Sequence, residues 1–192
     1  ISAEMGEMRL SLWPGLIEAL RFNLRRQHER VRLFEVGTRF EIEAGRLVES
    51  QAIAGLISGA ALPEQWGADR RAADFFDLKA DVEALFALTG RSAAISYVAR
   101  AHDTLHPGRS AAVMDGKTCV GWLGQLQPEL ARKLEIREAP WIFELAIDPS
   151  FRSEVPVFTD ISRFPAIRRD LAVVVDETVT LDELRKCVNL AA

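Results

Sequence analysis

Residues 110–126 read SAAVMDGKTCVGWLGQL. Asp115-Gly116 is a dipeptide favoured in two-residue hairpin turns, where both central residues take positive φ. The apolar residues on either side predict strands over 110–114 and 118–126, joined at that turn. Gly116-Lys117-Thr118 also imitates the end of a phosphate-binding loop. That loop needs a glycine five residues before Gly116, and Ala111 stands there, so the hairpin is the better reading.

Outward from this hairpin the pattern stays strand-rich. Upstream, 94–100 reads as a strand; downstream, Pro128 opens a short helix to 134 and 141–147 forms another strand. Further upstream, Asp74 can cap a helix whose Phe75, Leu78, Val82, Leu85 and Phe86 form one apolar stripe ended by Gly90. Residues 52–57 are apolar on both faces, as in a central strand. Residues 31–36 and 39–42 read as two strands joined by a short turn at Gly37-Thr38. Before them, Pro14 suits a first helical turn, and Leu16, Leu20 and Leu24 recur every four residues with Arg25, Arg26 and His28 late, predicting a helix over 14–28. A hairpin, long strands and few helices point to an α+β fold with a mostly antiparallel sheet, not a doubly wound parallel one.

Residues 148–160 contain Pro149, Ser150, Ser153 and Pro156 without periodicity, as a linker does. Beyond it, 171–175 reads as an apolar strand, and Thr180 with Glu183 makes a capping box for a helix from Leu181 to about residue 190. One strand and one helix cannot bury their own apolar faces, so this second domain is expected to be incomplete.

The 192 residues are 48% hydrophobic and 27% charged, with formal net charge −4, which argues against a protein that coats nucleic acid. Four of the 24 basic residues are lysine and the rest arginine, a bias that genome composition alone can produce. No apolar run approaches the roughly 20 residues of a membrane span, and the opening ISAEMGEM carries Glu4 and Glu7 where a signal peptide is basic. A cytoplasmic location is expected, with no membrane partner. Cys119 and Cys187 form no CxxC pair and read as small packing residues.

His102-Asp-Thr-Leu-His106 imitates the HExxH zinc motif, but aspartate is one methylene short of the required base and Pro107-Gly108 follows at once, so a polar loop ending in a turn is expected there. Glu41 and Glu43 project to one side of a strand, which suits acid-base chemistry in principle and a solvated strand face more often. Arg163, Arg168 and Arg169, interleaved with Phe164, have the composition of an RNA contact and equally of a solvated strand entry.

A family resemblance runs through the chain in order: Met8-Arg-Leu-Ser-Leu-Trp-Pro-Gly-Leu, Asn23-Leu-Arg-Arg-Gln, Val31-Arg-Leu-Phe-Glu-Val-Gly-Thr-Arg-Phe, Phe76-Asp-Leu-Lys-Ala-Asp, His106-Pro-Gly-Arg-Ser-Ala, Val120-Gly-Trp-Leu-Gly with Pro128-Glu-Leu, and Ile161-Ser-Arg-Phe-Pro-Ala-Ile-Arg-Arg-Asp-Leu. These blocks resemble the late part of the beta subunit of bacterial phenylalanine-tRNA ligase. The resemblance implies a class II synthetase-like module over 1–148, a linker over 149–160, and over 161–192 the truncated start of a ferredoxin-like domain that binds the tRNA anticodon region. It also implies a heterotetramer of two alpha and two beta chains that uses ATP and magnesium on alpha to attach phenylalanine to its tRNA. The family's first class II signature, editing domain and metal-binding domain are expected upstream of Ile1, leaving no cofactor or metal site here.

In active class II enzymes an arginine near Phe-Arg-x-Glu holds the ATP α-phosphate; the similar segment here places Glu41 at that arginine and Glu43 at the acid. The third signature, Gly-x-Gly-x-x-Arg, is matched by Glu144, Ala146 and Pro149. A carboxylate facing a triphosphate repels it where a guanidinium would pair with it. The resemblance therefore implies a degenerate nucleotide site at Glu41, Glu43, Glu144 and Pro149, no catalytic residue, and RNA contact through Arg163, Arg168 and Arg169. The alternatives are an autonomous class II-like ATP-dependent ligase and a generic protein-interaction domain.

Overall fold

The computed structural model describes residues 7–68, 70–147, 151, 158, 160 and 167–191, with the side chains of Glu43 and Ala191 left aside. The chain divides into two units, Ile1–Pro156 and Val157–Ala192. The division falls inside the expected linker.

The first unit is built on a six-stranded, wholly antiparallel sheet in the order β1-β2-β6-β5-β4-β3. Its strands are β1 (Val31–Glu43), β2 (Arg46–Ser58), β3 (Ile95–Ala99), β4 (Leu105–Asp115), β5 (Thr118–Leu126) and β6 (Trp141–Ala146). Helix α1 (Trp13–Leu24) covers one face with buried Trp13, Leu16, Ile17 and Leu20, and α2 (Phe75–Ala87) covers the other with Leu78, Val82 and Phe86. The short α3 (Pro128–Lys133) packs its Ala131 with the α1 side. A two-sided core explains why 52–57 lacks alternation: Ala52, Ala54 and Leu56 face α1 while Ile53 and Ile57 face α2.

Three expectations are corrected. Residues 31–43 form one strand, not two: Gly37 lies opposite Ala52 and Thr38 opposite Gln51, well inside the ladder. The Arg9 guanidinium crosses Gly37, where a Cβ would lie 2.2 Å from it, so a larger residue there would push that exposed side chain aside. The turn comes later, at Ala44 and Gly45, whose φ values of 48° and 77° suit a two-residue hairpin. The second correction concerns 102–106. The turn there precedes His106, at 103–104, and β4 already runs from Leu105 through Pro107 and Gly108. Proline is tolerated because the register shifts between Leu105 and Ser110, leaving this stretch irregularly paired. Third, α1 stops at Leu24. A Schellman closure ends it, with His28 N–H donating to the Asn23 carbonyl and Gln27 N–H to that of Leu24, while Gln27 takes φ 63°.

Helix α2 carries the cap that its sequence promises. Asp74 accepts from the Phe76 and Asp77 N–H groups, and the Asp77 carboxylate accepts in return from the Asp74 N–H. Arg71 grips Asp77 through two guanidinium nitrogens at 2.6 and 2.7 Å.

In the second unit, α4 (Leu181–Ala191) begins with the expected box: Glu183 N–H donates to Thr180 Oγ1, and Thr180 N–H donates to the Glu183 carboxylate at 2.7 Å. The expected strand over 171–175 is not formed. Residues 167–176 carry no ladder, and Leu171, Val173, Val174 and Val175 are exposed. An apolar run becomes a strand only beside a hydrogen-bonding partner, and none is present among the described residues. Among the described residues no helix is long and apolar enough to cross a membrane.

Candidate functional site

The sheet face beneath α1 carries Glu41 and Glu144, two of the four residues singled out as a nucleotide site. On β1 the two-residue alternation sends Arg39 and Glu41 to this face, and pairing places Arg39 opposite Ser50 of β2. On β6, Glu144 lies opposite Ala54 of β2 and Trp122 of β5, in the middle of the sheet. It is only 7% exposed.

A carboxylate so deeply placed needs partners, and Glu144 has three among the described residues. Its Oε2 accepts from the Leu12 backbone N–H at 2.7 Å and from Ser11 Oγ at 2.8 Å; its Oε1 lies 3.3 Å from the Arg39 guanidinium. Ser11 Oγ in turn accepts from the Trp13 N–H at 3.1 Å, and Trp13 Nε1 donates to the Phe143 carbonyl at 2.9 Å. Leu12 is the N-cap of α1 and offers no side-chain acceptor of its own. Glu144 therefore supplies from β6 the anion that the start of α1 lacks, where the helix dipole also favours negative charge.

Arg39 is equally committed. Its Nε donates to Ser50 Oγ at 2.9 Å, and Nη1 stands 3.4 Å from Glu41 and 3.3 Å from Glu144. One guanidinium balances two carboxylates, so it is not available to a triphosphate, and Glu41 and Glu144 would oppose one. The residues here do not fit ATP.

Trp122 extends the row across β5. The His102 ring packs between Trp13 and Trp122, with centroids at 5.4 and 4.8 Å, and Arg100 lies over Trp122 at 5.6 Å. Burial pulls the His102 pKa down, against the opposing pull of Asp103 and Glu144, so the ring is neutral at physiological pH. Its Nδ1 accepts from the Thr104 N–H at 3.2 Å. His106, on β4, uses its own Nδ1 for the Gly108 N–H at 3.1 Å. The helix that a zinc motif requires is replaced by a turn and a strand.

The structure thus brings Glu41 and Glu144 together through Arg39. Ala146 ends β6 opposite Ala52. The Glu43 side chain, Pro149, Arg163 and Phe164 lie outside the described residues. Arg168 and Arg169 are exposed in the second unit. Sequence reasoning missed Arg39 and Ser11. Arg39 was findable, since it sits two residues from Glu41 on the same strand face. Ser11 was not, because its partner is 133 residues away.

The family model described as "Phenylalanyl tRNA synthetase beta chain CLM domain" matches residues 1–147. The chain is 44% identical over 190 residues, 98% of its length, to the phenylalanine-tRNA ligase beta subunit of Nitrosococcus oceani. Proteins of the same name from Pseudomonas putida and Coxiella burnetii are 46% identical over 93% and 41% identical over 100% of the chain. The chain spans about a quarter of the length of these relatives: 24%, 23% and 24%. Among solved structures, a pyrrolysyl tRNA synthetase, PylSc of Desulfitobacterium hafniense, shares the fold: TM-score 0.50 at 18% identity, covering 72% of this chain and 46% of that one. From the match over 1–147 and the concordant relatives, the chain belongs to the phenylalanyl-tRNA synthetase beta chain family.

Proposed function

We propose that residues 1–148 are a non-catalytic, synthetase-like module of a phenylalanine-tRNA ligase beta subunit, joined through 149–160 to the first part of a ferredoxin-like anticodon-binding domain over 161–192. The module packs against the catalytic alpha subunit in a cytoplasmic assembly of two alpha and two beta chains. That assembly uses ATP and magnesium to attach phenylalanine to its tRNA, and Arg163, Arg168 and Arg169 touch the RNA. The family membership and the synthetase-like fold support the reading. The observation that carries it is Glu144: at the centre of the sheet its carboxylate is consumed by Leu12, Ser11 and Arg39, at the position that the resemblance matches to a signature glycine of active class II enzymes.

Isothermal titration of the chain with ATP and magnesium tests this directly. No binding heat is expected, whereas a micromolar dissociation constant would favour an autonomous ligase. Co-expression with a phenylalanine-tRNA ligase alpha subunit is expected to yield a stable complex. Capture of unrelated proteins in its place would mark a generic interaction domain.

A further inference from the structure

The end of α1 concentrates positive charge in an acidic protein. Between Glu18 and Arg32 the chain places five arginines and one histidine against two glutamates, although its formal net charge is −4. Arg21 is paired with Glu18 at 2.6 Å. One turn on, Arg25, Arg26 and His28 are exposed, and no ion pair engages them among the described residues. The Schellman closure at Gln27 fixes the backbone that carries them, so the two guanidinium groups and the imidazole share one platform.

An aromatic ring completes the platform. Phe22 is 55% exposed, on the side of α1 away from buried Leu16, Ile17 and Leu20, and the Arg26 guanidinium lies over its ring at 3.4 Å. Arg26 also donates to the Phe22 carbonyl at 3.4 Å, which holds the stacked pair at the helix end. A guanidinium on an aromatic ring is a flat cationic surface suited to a nucleobase, with Arg25 and His28 beside it for phosphates. An acidic protein surface would need the cations but not the exposed ring.

We propose that Phe22, Arg25, Arg26 and His28 at the end of α1 form an RNA-binding surface, distinct from the arginines of the second unit. Its RNA is the tRNA of the preceding section, on whose reading this inference rests. The surface binds backbone phosphate through Arg25 and Arg26 and stacks a base on the Phe22–Arg26 pair. It lies wholly within the synthetase-like unit, so it needs no part of the second one.

The test is fluorescence anisotropy of labelled tRNA for phenylalanine with the full beta chain assembled with its alpha partner, across a salt series. Arg25→Ala with Arg26→Ala is expected to weaken binding about tenfold near 0.1 M salt. It should also flatten the slope of log affinity against log salt by about 1.4 to 1.8, as for two lost phosphate contacts. Arg25→Gln alone removes a side chain with no ion pair or hydrogen bond among the described residues, so a loss of about half that slope cannot be blamed on unfolding. Phe22→Leu should lower affinity about fivefold or more with the slope unchanged, the mark of lost stacking. Poly-glutamate that displaces nothing supports RNA as the ligand; poly-glutamate competing as well as RNA at equal charge would assign the patch to an acidic protein and overturn the proposal. An assembly that binds no tRNA at all overturns the preceding section and this inference with it, whereas intact binding indifferent to all three variants overturns this inference alone.

Discussion

The two faces of the sheet hold their helices by different physics. On one, α2 begins with its own capping box and lays Leu78, Val82 and Phe86 on Val113, Leu123, Phe143 and Leu145, so that apart from its start and a half-exposed Asp81–Arg32 ion pair it is held by apolar area. On the other, α1 has no side-chain cap of its own and is pinned by a buried carboxylate from β6, 132 residues downstream of the N–H it satisfies. Area is tolerant of detail and adds roughly in proportion to what is buried; a buried carboxylate is worth keeping only while every partner is present. The α1 face, to which Arg39, Glu41 and Glu144 belong, is thus the one that has turned polar groups to structure.

The largest effect is expected on the area-held face. Phe86 is 1% exposed and stacks on Phe151 at 5.1 Å, so Phe86→Ala should cost about 3–5 kcal/mol in urea denaturation. At this chain length each kcal/mol shifts the melting midpoint by about 2–4 °C, so the loss is also visible by calorimetry. A loss below about 1 kcal/mol would mean that α2 is not held by packing.

Glu144→Ala should come next, at about 2–3 kcal/mol, because it orphans the buried Leu12 N–H and leaves Arg39 with only Ser50 and the more exposed Glu41. Glu144→Gln keeps an oxygen for Leu12 and should cost about 1 kcal/mol. The sharper measurement is a double-mutant cycle. Glu144→Leu with Arg39→Met replaces both charges by apolar groups, and its cost should fall well short of the sum of the two single losses. Additive losses would show that the two side chains act independently and would dissolve the contrast between the faces.

The same contrast governs what the sequence could reveal. Asp74 with Asp77, and Thr180 with Glu183, are caps written within four residues, and both were legible. The hairpin at Gly116 was legible for the same reason, although its two turn residues are Gly116 and Lys117, with Asp115 still in β4 opposite Thr118. Gly37 misled because a glycine inside a strand, crossed there by Arg9, looks identical in sequence to a glycine needed for a turn. The run at 171–175 misled because strand formation depends on a partner that the run itself does not encode. At the site, Glu41 stood out with Glu43 as a same-face pair and Glu144 only through family resemblance, and the joining of Glu41 to Glu144 by Arg39 required the register that pairs β1 with β2 and β2 with β6.

The smallest effects belong to the local cap of α2, and pH separates them from packing. Asp74→Ala should cost about 1 kcal/mol, the usual worth of an N-cap. Asp77 answers to acid as well: the hydrogen bonds from Arg71, with help from the Asp74 N–H and opposed by partial burial, lower its pKa from 3.8 to about 2. A carboxyl whose pKa is depressed on folding binds protons more readily when unfolded, so its contribution is complete above about pH 4 and is lost as pH falls toward 2. Asp77→Asn should remove that part of the acid dependence while leaving stability at pH 7 lower than wild type. Phe86→Ala should shift the whole stability curve downward and keep its slope. If the slope between about pH 4 and 2 is the same in Asp77→Asn and wild type, the Arg71 clamp does not stabilise the start of α2, and the cap must be carried by Asp74 alone.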